Sequence, residues 1–205
     1  MFRRWEGAEM GLEFTAENHE YKYDGVQIPS VTQIIKDAGL VNFNFISDEL
    51  LEAKADLGNK VHKSLEFLDK GILNIDELHP KLKSYLPGWE KFKKDFSFVI
   101  EENELIMYHP TLRYAGTIDR VGLVNGSRSI IDIKTGIAIK SHCIQTSGYA
   151  ELYNYSKPKE KHIKRRLAVY LTPENYKVIE HKESSDRNIF LAALTIANYH
   201  KRSNK

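Results

Sequence analysis

Two aspartates and a lysine are the residues of this chain whose types and spacing most plainly suggest chemistry. Asp119 and Asp132 flank an Asn125-Gly126 dipeptide, and Lys134 follows Asp132 two positions on. Asn-Gly accepts positive φ at both positions and favours a two-residue hairpin turn. Ile118, Val121, Leu123 and Val124 before it, and Ile130, Ile131 and Ile133 after it, read as the two strands. With Asn125 and Gly126 as the loop, Val124 faces Ser127, and counting outward sets Asp119 opposite Asp132, with Cβ atoms about 4.5–5.5 Å apart. Alternation turns Lys134 to the same face as Asp132. Like charges across a strand pair destabilise a sheet, and one of the two pKa values must rise unless a cation lies between them. The pattern predicts a metal site with a lysine beside it. A solvated strand face on which Asp132 merely pairs with Lys134 is the ordinary reading of Asp-x-Lys. It leaves the opposed Asp119 and the apolar Ile130-Ile131 lead-in without a reason.

Such a site needs a sheet to carry it and helices to cover it. The spacing of Leu50, Leu51, Leu57, Val61, Leu65 and Leu68 predicts a helix over 47–70, with Gly58 a candidate break and His62 and Glu66 on one face. A second helix is expected over 80–96, with Leu82, Tyr85, Leu86, Trp89 and Phe92 in the core. A strand over 96–108 should pair with 114–124 and carries Glu104, which by itself reads as an edge-strand charge. A helix over 141–155 has Gln145 and Tyr149 four apart on one face, and 167–172 and 176–181 read as strands. The chain closes with a helix over 184–199, capped by Ser184 or Ser185. Near the start, 12–14 and 20–23 read as short strands around an Asp24-Gly25 turn, after an arm of eleven residues. Ser30 or Thr32 is placed to cap a helix beginning at Gln33, whose N-terminus can also receive a phosphate. This order predicts a single α/β domain with a mixed central β-sheet flanked by helices.

Composition narrows the classes. The 205 residues, 41% hydrophobic and 28% charged, suit one soluble domain. Cys143 is the only cysteine, which leaves no disulfide framework and no four-cysteine zinc or iron–sulfur site. The expectation is a reducing, cytoplasmic setting, with no membrane span and no signal peptide. A net charge of +2 does not coat nucleic acid by bulk charge, but basic runs at 157–166 and 200–205 contrast with the acidic Glu101, Glu102 and Glu104. A basic patch beside a carboxylate site is what a phosphodiester needs.

GTID at 116–119 followed by IIDIKTG at 130–136 resembles the core of the PD-(D/E)xK nuclease superfamily, in its RecB-like exonuclease branch. The first motif has Ile118-Asp119 where the superfamily has Pro-Asp, a change common in the branch. Further blocks follow in family order over residues 28–180. PSVTQII at 29–35 resembles a segment that lies against the DNA backbone, implying substrate contacts from Ser30 and Thr32. Gly58 to His62 matches a Gly-x-x-x-His motif whose histidine completes the metal site. ELIMYHPTLRYAG at 104–116 resembles the mitochondrial members of the branch and implies that Glu104 lines the site. Gln145 and Tyr149 match a Gln-x-x-x-Tyr motif that faces site and substrate.

The resemblance implies a restriction-endonuclease-like core and a metal-dependent DNA exonuclease of recombination, repair or replication, cellular or viral, acting on single- or double-stranded ends. Asp119, Asp132, the Ile133 carbonyl and neutral His62 would hold Mg²⁺ or Mn²⁺, in a pair of ions about 3.5–4 Å apart. Glu104 would be a ligand or a partner of one. Lys134 would orient or deprotonate the attacking water and neutralise transition-state charge. The lone Cys143 excludes the iron–sulfur cluster that some relatives carry. An endonuclease and a non-catalytic DNA-binding domain share this core and stay open here, as does oligomeric state. The absence of a sequence-reading module and the intact Asp119, Asp132 and Lys134 favour the exonuclease.

Overall fold

The computed structural model describes residues 11–15, 18–41 and 47–203. The expected N-terminal arm lies outside them except for Gly11, and the basic tail is described as far as residue 203. Three short strands, β1 (Leu12–Thr15), β2 (Glu20–Tyr23) and β3 (Val26–Ile28), form one antiparallel sheet. They are followed by α1 (Val31–Asp37), α2 (Asp48–Asp69), α3 (Pro80–Lys83) and α4 (Leu86–Asp95). Then come β4 (Val99–His109), β5 (Tyr114–Val124), β6 (Ser127–Lys134), α5 (Ser141–Ser156), β7 (Arg165–Thr172), β8 (Asn175–Glu180) and α6 (Ser185–Ser203).

Strands β4 to β8 lie side by side in chain order in one five-stranded sheet. β6 and β7 are parallel and every other neighbour is antiparallel. A parallel pair cannot be closed by a tight turn, and α5 supplies the crossover. The chain is therefore a mixed α/β protein, compatible with a restriction-endonuclease-like core. One face of the sheet packs Tyr114, Ile118, Val121 and Ile130 against apolar residues of α1, α5 and α6. The other packs Ile131, Ile133, Leu167 and Val169 against Val61 and Leu65 of α2 and Leu86, Trp89 and Phe92 of α4. Trp89 and Phe92 are fully buried, and truncating either to Ala should cost about 3–5 kcal/mol.

Asn125 and Gly126 have φ of 48° and 78°, and Val124 pairs with Ser127, so the hairpin forms in the register the dipeptide predicts. Asp24-Gly25 joins β2 to β3, a strand too short and too exposed to be read from its residues. Gly58 does not break α2. Its missing Cβ would lie 3.4 Å from Thr135 Oγ1, so it lets the helix approach the loop after β6. The helix expected over 80–96 is two helices, because the ring of Pro87 clashes with the Lys83 carbonyl that a continuous helix would place there. Ser84 instead presents its carbonyl to the Glu174 N–H.

Candidate metal centre

The five-stranded sheet is irregular at two places: β4 bulges between Ile100 and Glu102, and the pairing of β5 lapses at Asp119. On the β6 side the ladder runs from Val124–Ser127 to Arg120–Ile131 and stops where Asp119 would face Asp132. The Ile133 N–H donates instead to Asp119 Oδ2, across 2.7 Å. On the β4 side, Asn103 pairs with Arg120 and Leu105 with Ile118, while Glu104 and Asp119 between them do not pair. Glu104 has φ of 52°, a conformation that costs a non-glycine residue energy and tends to occur where a site requires it. Ile118 and Val121, three apart, pack in the same core, which an unbroken strand with its period of two would forbid. Both neighbours of β5 thus part from it at one carboxylate.

Into this gap α2 brings His62. Its Nε2 lies 2.9 Å from the Ile133 carbonyl oxygen, which can only accept, so Nε2 carries the proton. Nδ1 then faces Asp119 Oδ1 at 3.5 Å. Ligand atoms of His62, Glu104 and Asp119 all lie within 4.8 Å of one another. Trans ligands of one Mg²⁺-sized ion are about 4.2 Å apart, so small rotamer changes would close the three around a cation. The side chains of His62 and Asp119 keep 26% and 13% exposure, which leaves the cluster a route to solvent. An imidazole nitrogen with two carboxylates is a donor set that can hold a divalent cation.

Asp132 stands beside this trio, not within it. Lys134 Nζ donates to Asp132 Oδ1 across 3.0 Å and lies 3.0 Å from the buried Asp132 Oδ2 as well, so one ammonium faces both oxygens. Oδ2, in ion-pair contact but accepting no well-directed hydrogen bond among the described residues, keeps a lone pair that a further cation could take up.

The electrostatics divide the carboxylates. Burial, and then the neighbouring Asp119, push Asp132 up to about 6 and Glu104 up to about 7, against Lys134 in the first case and Arg120 in the second. Burial acts the same way on Asp119, but His62, Lys134 and the Ile133 N–H outweigh it and hold it at about 2. Burial alone would lower the His62 pKa; Asp119 overcomes it and raises it. Crowded acids whose proton affinities are forced apart are characteristic of functional sites.

The other residues singled out in the sequence are placed as follows. Gln145 Nε2 donates to Tyr149 Oη across 3.2 Å, both buried on α5. Burial, then the charges of Asp132 and Asp119, raise the Tyr149 phenol well above its usual range. Gly116 makes room for it, since a Cβ there would lie 2.9 Å from the Tyr149 ring. Ser30 caps α1 by accepting from the Gln33 N–H, and its Oγ lies 3.0 Å from Thr32 Oγ1. The Ala115 N–H donates to the Pro29 carbonyl, so the cap is fastened to β5 four residues from Asp119. Of the basic run at 157–166, Arg165 and Arg166 are occupied in pairs with Glu180 and Asp186. No helix of the described residues is long and apolar enough to cross a membrane.

No protein-family model and no curated protein matches the chain. Among solved structures it is similar to SSO0001, at 19% identity and a TM-score of 0.37, over 69% of this chain and 70% of that one. It is also similar to LHK-Exo, solved in complex with dAMP, at 15% identity and a TM-score of 0.31, over 86% and 93%. Likenesses this distant assign neither family nor activity.

Two charged residues behind the site escaped the sequence reading. Arg120, with no exposed surface, donates from Nε to Asp69 Oδ2 across 2.8 Å and from Nη1 to Glu104 Oε1 across 2.9 Å. Asp69 Oδ1 also accepts from Trp89 Nε1 and Lys93 Nζ, each at 2.9 Å. Asp69 is the last residue of α2 and reads in sequence as a solvated helix end. Arg120 adjoins Asp119, a position that alternation turns away from the site. Both reach their partners through contacts 16 to 51 residues apart, which no local pattern reports.

Proposed function

We propose that the chain is a divalent-metal-dependent deoxyribonuclease of the RecB-like type, acting as an exonuclease on DNA ends in recombination, repair or replication. The observation that supports this best is the convergence of His62, Glu104 and Asp119, from α2, β4 and β5, at the one step where β5 loses both neighbours. Asp132 adds a further carboxylate for Mg²⁺ or Mn²⁺ in a one- or two-ion site, whereas the Ile133 carbonyl, expected from the resemblance to be a ligand, is taken by the His62 Nε2–H. When bound, the ions would polarise the phosphoryl oxygens and supply a nucleophilic water at neutral pH. His62 is held by its Nε2–H on Ile133, so that Nδ1 stays turned inward. Lys134, anchored on Asp132 and partly exposed, places a cation beside the scissile phosphate and offsets charge as the water oxygen bonds to phosphorus and the departing sugar oxygen leaves. Gln145 and Tyr149 line the substrate side of α5, while Thr32, exposed and oriented by Ser30, offers a hydroxyl to backbone phosphate.

End-labelled linear DNA and covalently closed circular DNA, each incubated with Mn²⁺ or with a chelator, test this reading. The expected result is chelator-sensitive loss of the linear substrate with the circle intact. Nicking of the circle would make the chain an endonuclease, and absence of chelator-sensitive cleavage on both would overturn the nuclease reading.

A further inference from the structure

Arg120 is an unusual residue to place in a sheet. Removing a charged pair from water costs several kcal/mol, and an apolar pair of the same volume is often at least as stable, so stability alone does not account for it. Its contacts suggest another reason. The guanidinium has two edges in use: Nε on Asp69 Oδ2, and Nη1 on Glu104 Oε1 and on the Asp119 carbonyl. It thereby ties the two facing residues of the broken step to each other and to the end of α2. Its Cζ lies 5.8 Å from the centre of the Trp89 ring, and Trp89 itself donates to Asp69. Asp69 cannot swing away, because Trp89, Lys93 and Arg120 hold both its oxygens.

Glu104 needs such a hold. Its backbone is in the left-handed region and makes no ladder pair with Asp119, so the strand itself does little to fix where its carboxylate points. Arg120 takes Oε1, so the carboxylate is held at one oxygen while the other is not bound by this guanidinium. A lysine has a single ammonium on a flexible stem and cannot bridge Asp69 and Glu104 with this planar geometry.

We infer that Arg120 is the positioning residue for Glu104, that the Trp89–Lys93–Asp69 hub is the anchor for Arg120, and that this relay sets the affinity of the cluster for its divalent ion. The inference rests on the reading of His62, Glu104 and Asp119 as metal ligands. Partners of this kind, behind a ligand, typically change metal affinity by about 10- to 100-fold when altered.

The test is calorimetric titration of the full chain with Mn²⁺ alone, in a double-mutant cycle. Arg120→Lys and, separately, Asp69→Asn should each weaken Mn²⁺ binding by about 10- to 100-fold in proteins whose circular dichroism is unchanged. In a Glu104→Gln background the same substitutions should change Mn²⁺ affinity by less than about twofold, because the group they position is gone. A merely structural Arg120 predicts equal effects with and without Glu104, or lowered melting temperature with unchanged affinity; either result overturns the inference. Should Arg120→Lys fail to fold, Asp69→Asn gives the same reading at a residue outside the cluster. Failure of the wild-type chain to bind Mn²⁺ would instead overturn the functional proposal itself, a distinguishable outcome.

Discussion

Among the described residues the charges around Asp69 and those around Asp119 are built on opposite principles. Around Asp69 every carboxylate oxygen is taken by Trp89, Lys93 or Arg120, although the buried Arg120 Nη2 finds no hydrogen-bond partner among the described residues. Around Asp119 the ladder is broken on both sides, Glu104 is in a strained backbone conformation, and three carboxylates crowd one histidine and one lysine. The first cluster is closed around its carboxylate, and its energy goes into fixing one geometry. The second is open, with repulsions that a divalent cation would relieve. Proteins concentrate unfavourable arrangements of the second kind where they act, at some expense of stability.

The comparison can be broken by substitution. The largest effect is expected from Asp119→Asn, whose amide oxygen still accepts the Ile133 N–H, so the fold persists. Loss of the ligand should remove several kcal/mol of transition-state stabilisation, more than about three powers of ten in single-turnover rate. In the closed cluster, Asp69→Ala strands Arg120 and Lys93 and should cost about 3–5 kcal/mol in urea unfolding. A change below 1 kcal/mol would show that the hub is not closed as described. Lys134→Met should leave folding and metal binding intact and slow single-turnover cleavage by roughly two to three powers of ten. A rate near wild type in that folded variant would mean that Lys134 only pairs with Asp132.

Smaller, and opposite in sign to Asp69, is the effect expected at Asp132. Its folded pKa of about 6 lies above the unfolded value near 4, so between those limits the folded state holds a proton that the unfolded state has lost. Without metal, stability is therefore fully present below about pH 4 and declines as pH rises through 6, by roughly 3 kcal/mol. Asp132→Asn should remove that decline and melt higher than wild type at pH 7.5. A lower melting temperature for Asp132→Asn would mean that the second cluster is closed like the first.

How much of this was legible in the chain depends on whether the cause was local. Asn125-Gly126 set the hairpin register, and the spacing of Asp119, Asp132 and Lys134 placed them around one end of it. The apolar spacings located the helices to within a few residues, and Pro87 carried an unused signal for the break between α3 and α4. The slip at Asp119 was not legible, because counting by twos assumes an unbroken ladder. Nothing in the residue type of Glu104 announces a positive φ. His62 stood out only through the family resemblance, since a histidine on an amphipathic helix is usually unremarkable. Arg120 and Asp69 depend on tertiary contact alone.

The central claim is that the gap at Asp119 is a cation site. Calorimetric titration of the metal-free protein with Mn²⁺, beside His62→Ala and Asp119→Asn, tests it most directly. Saturable binding by the wild-type chain, weakened at least tenfold in each variant while both remain folded, is the predicted result. Equal binding by all three proteins, or none by the wild type, would contradict it.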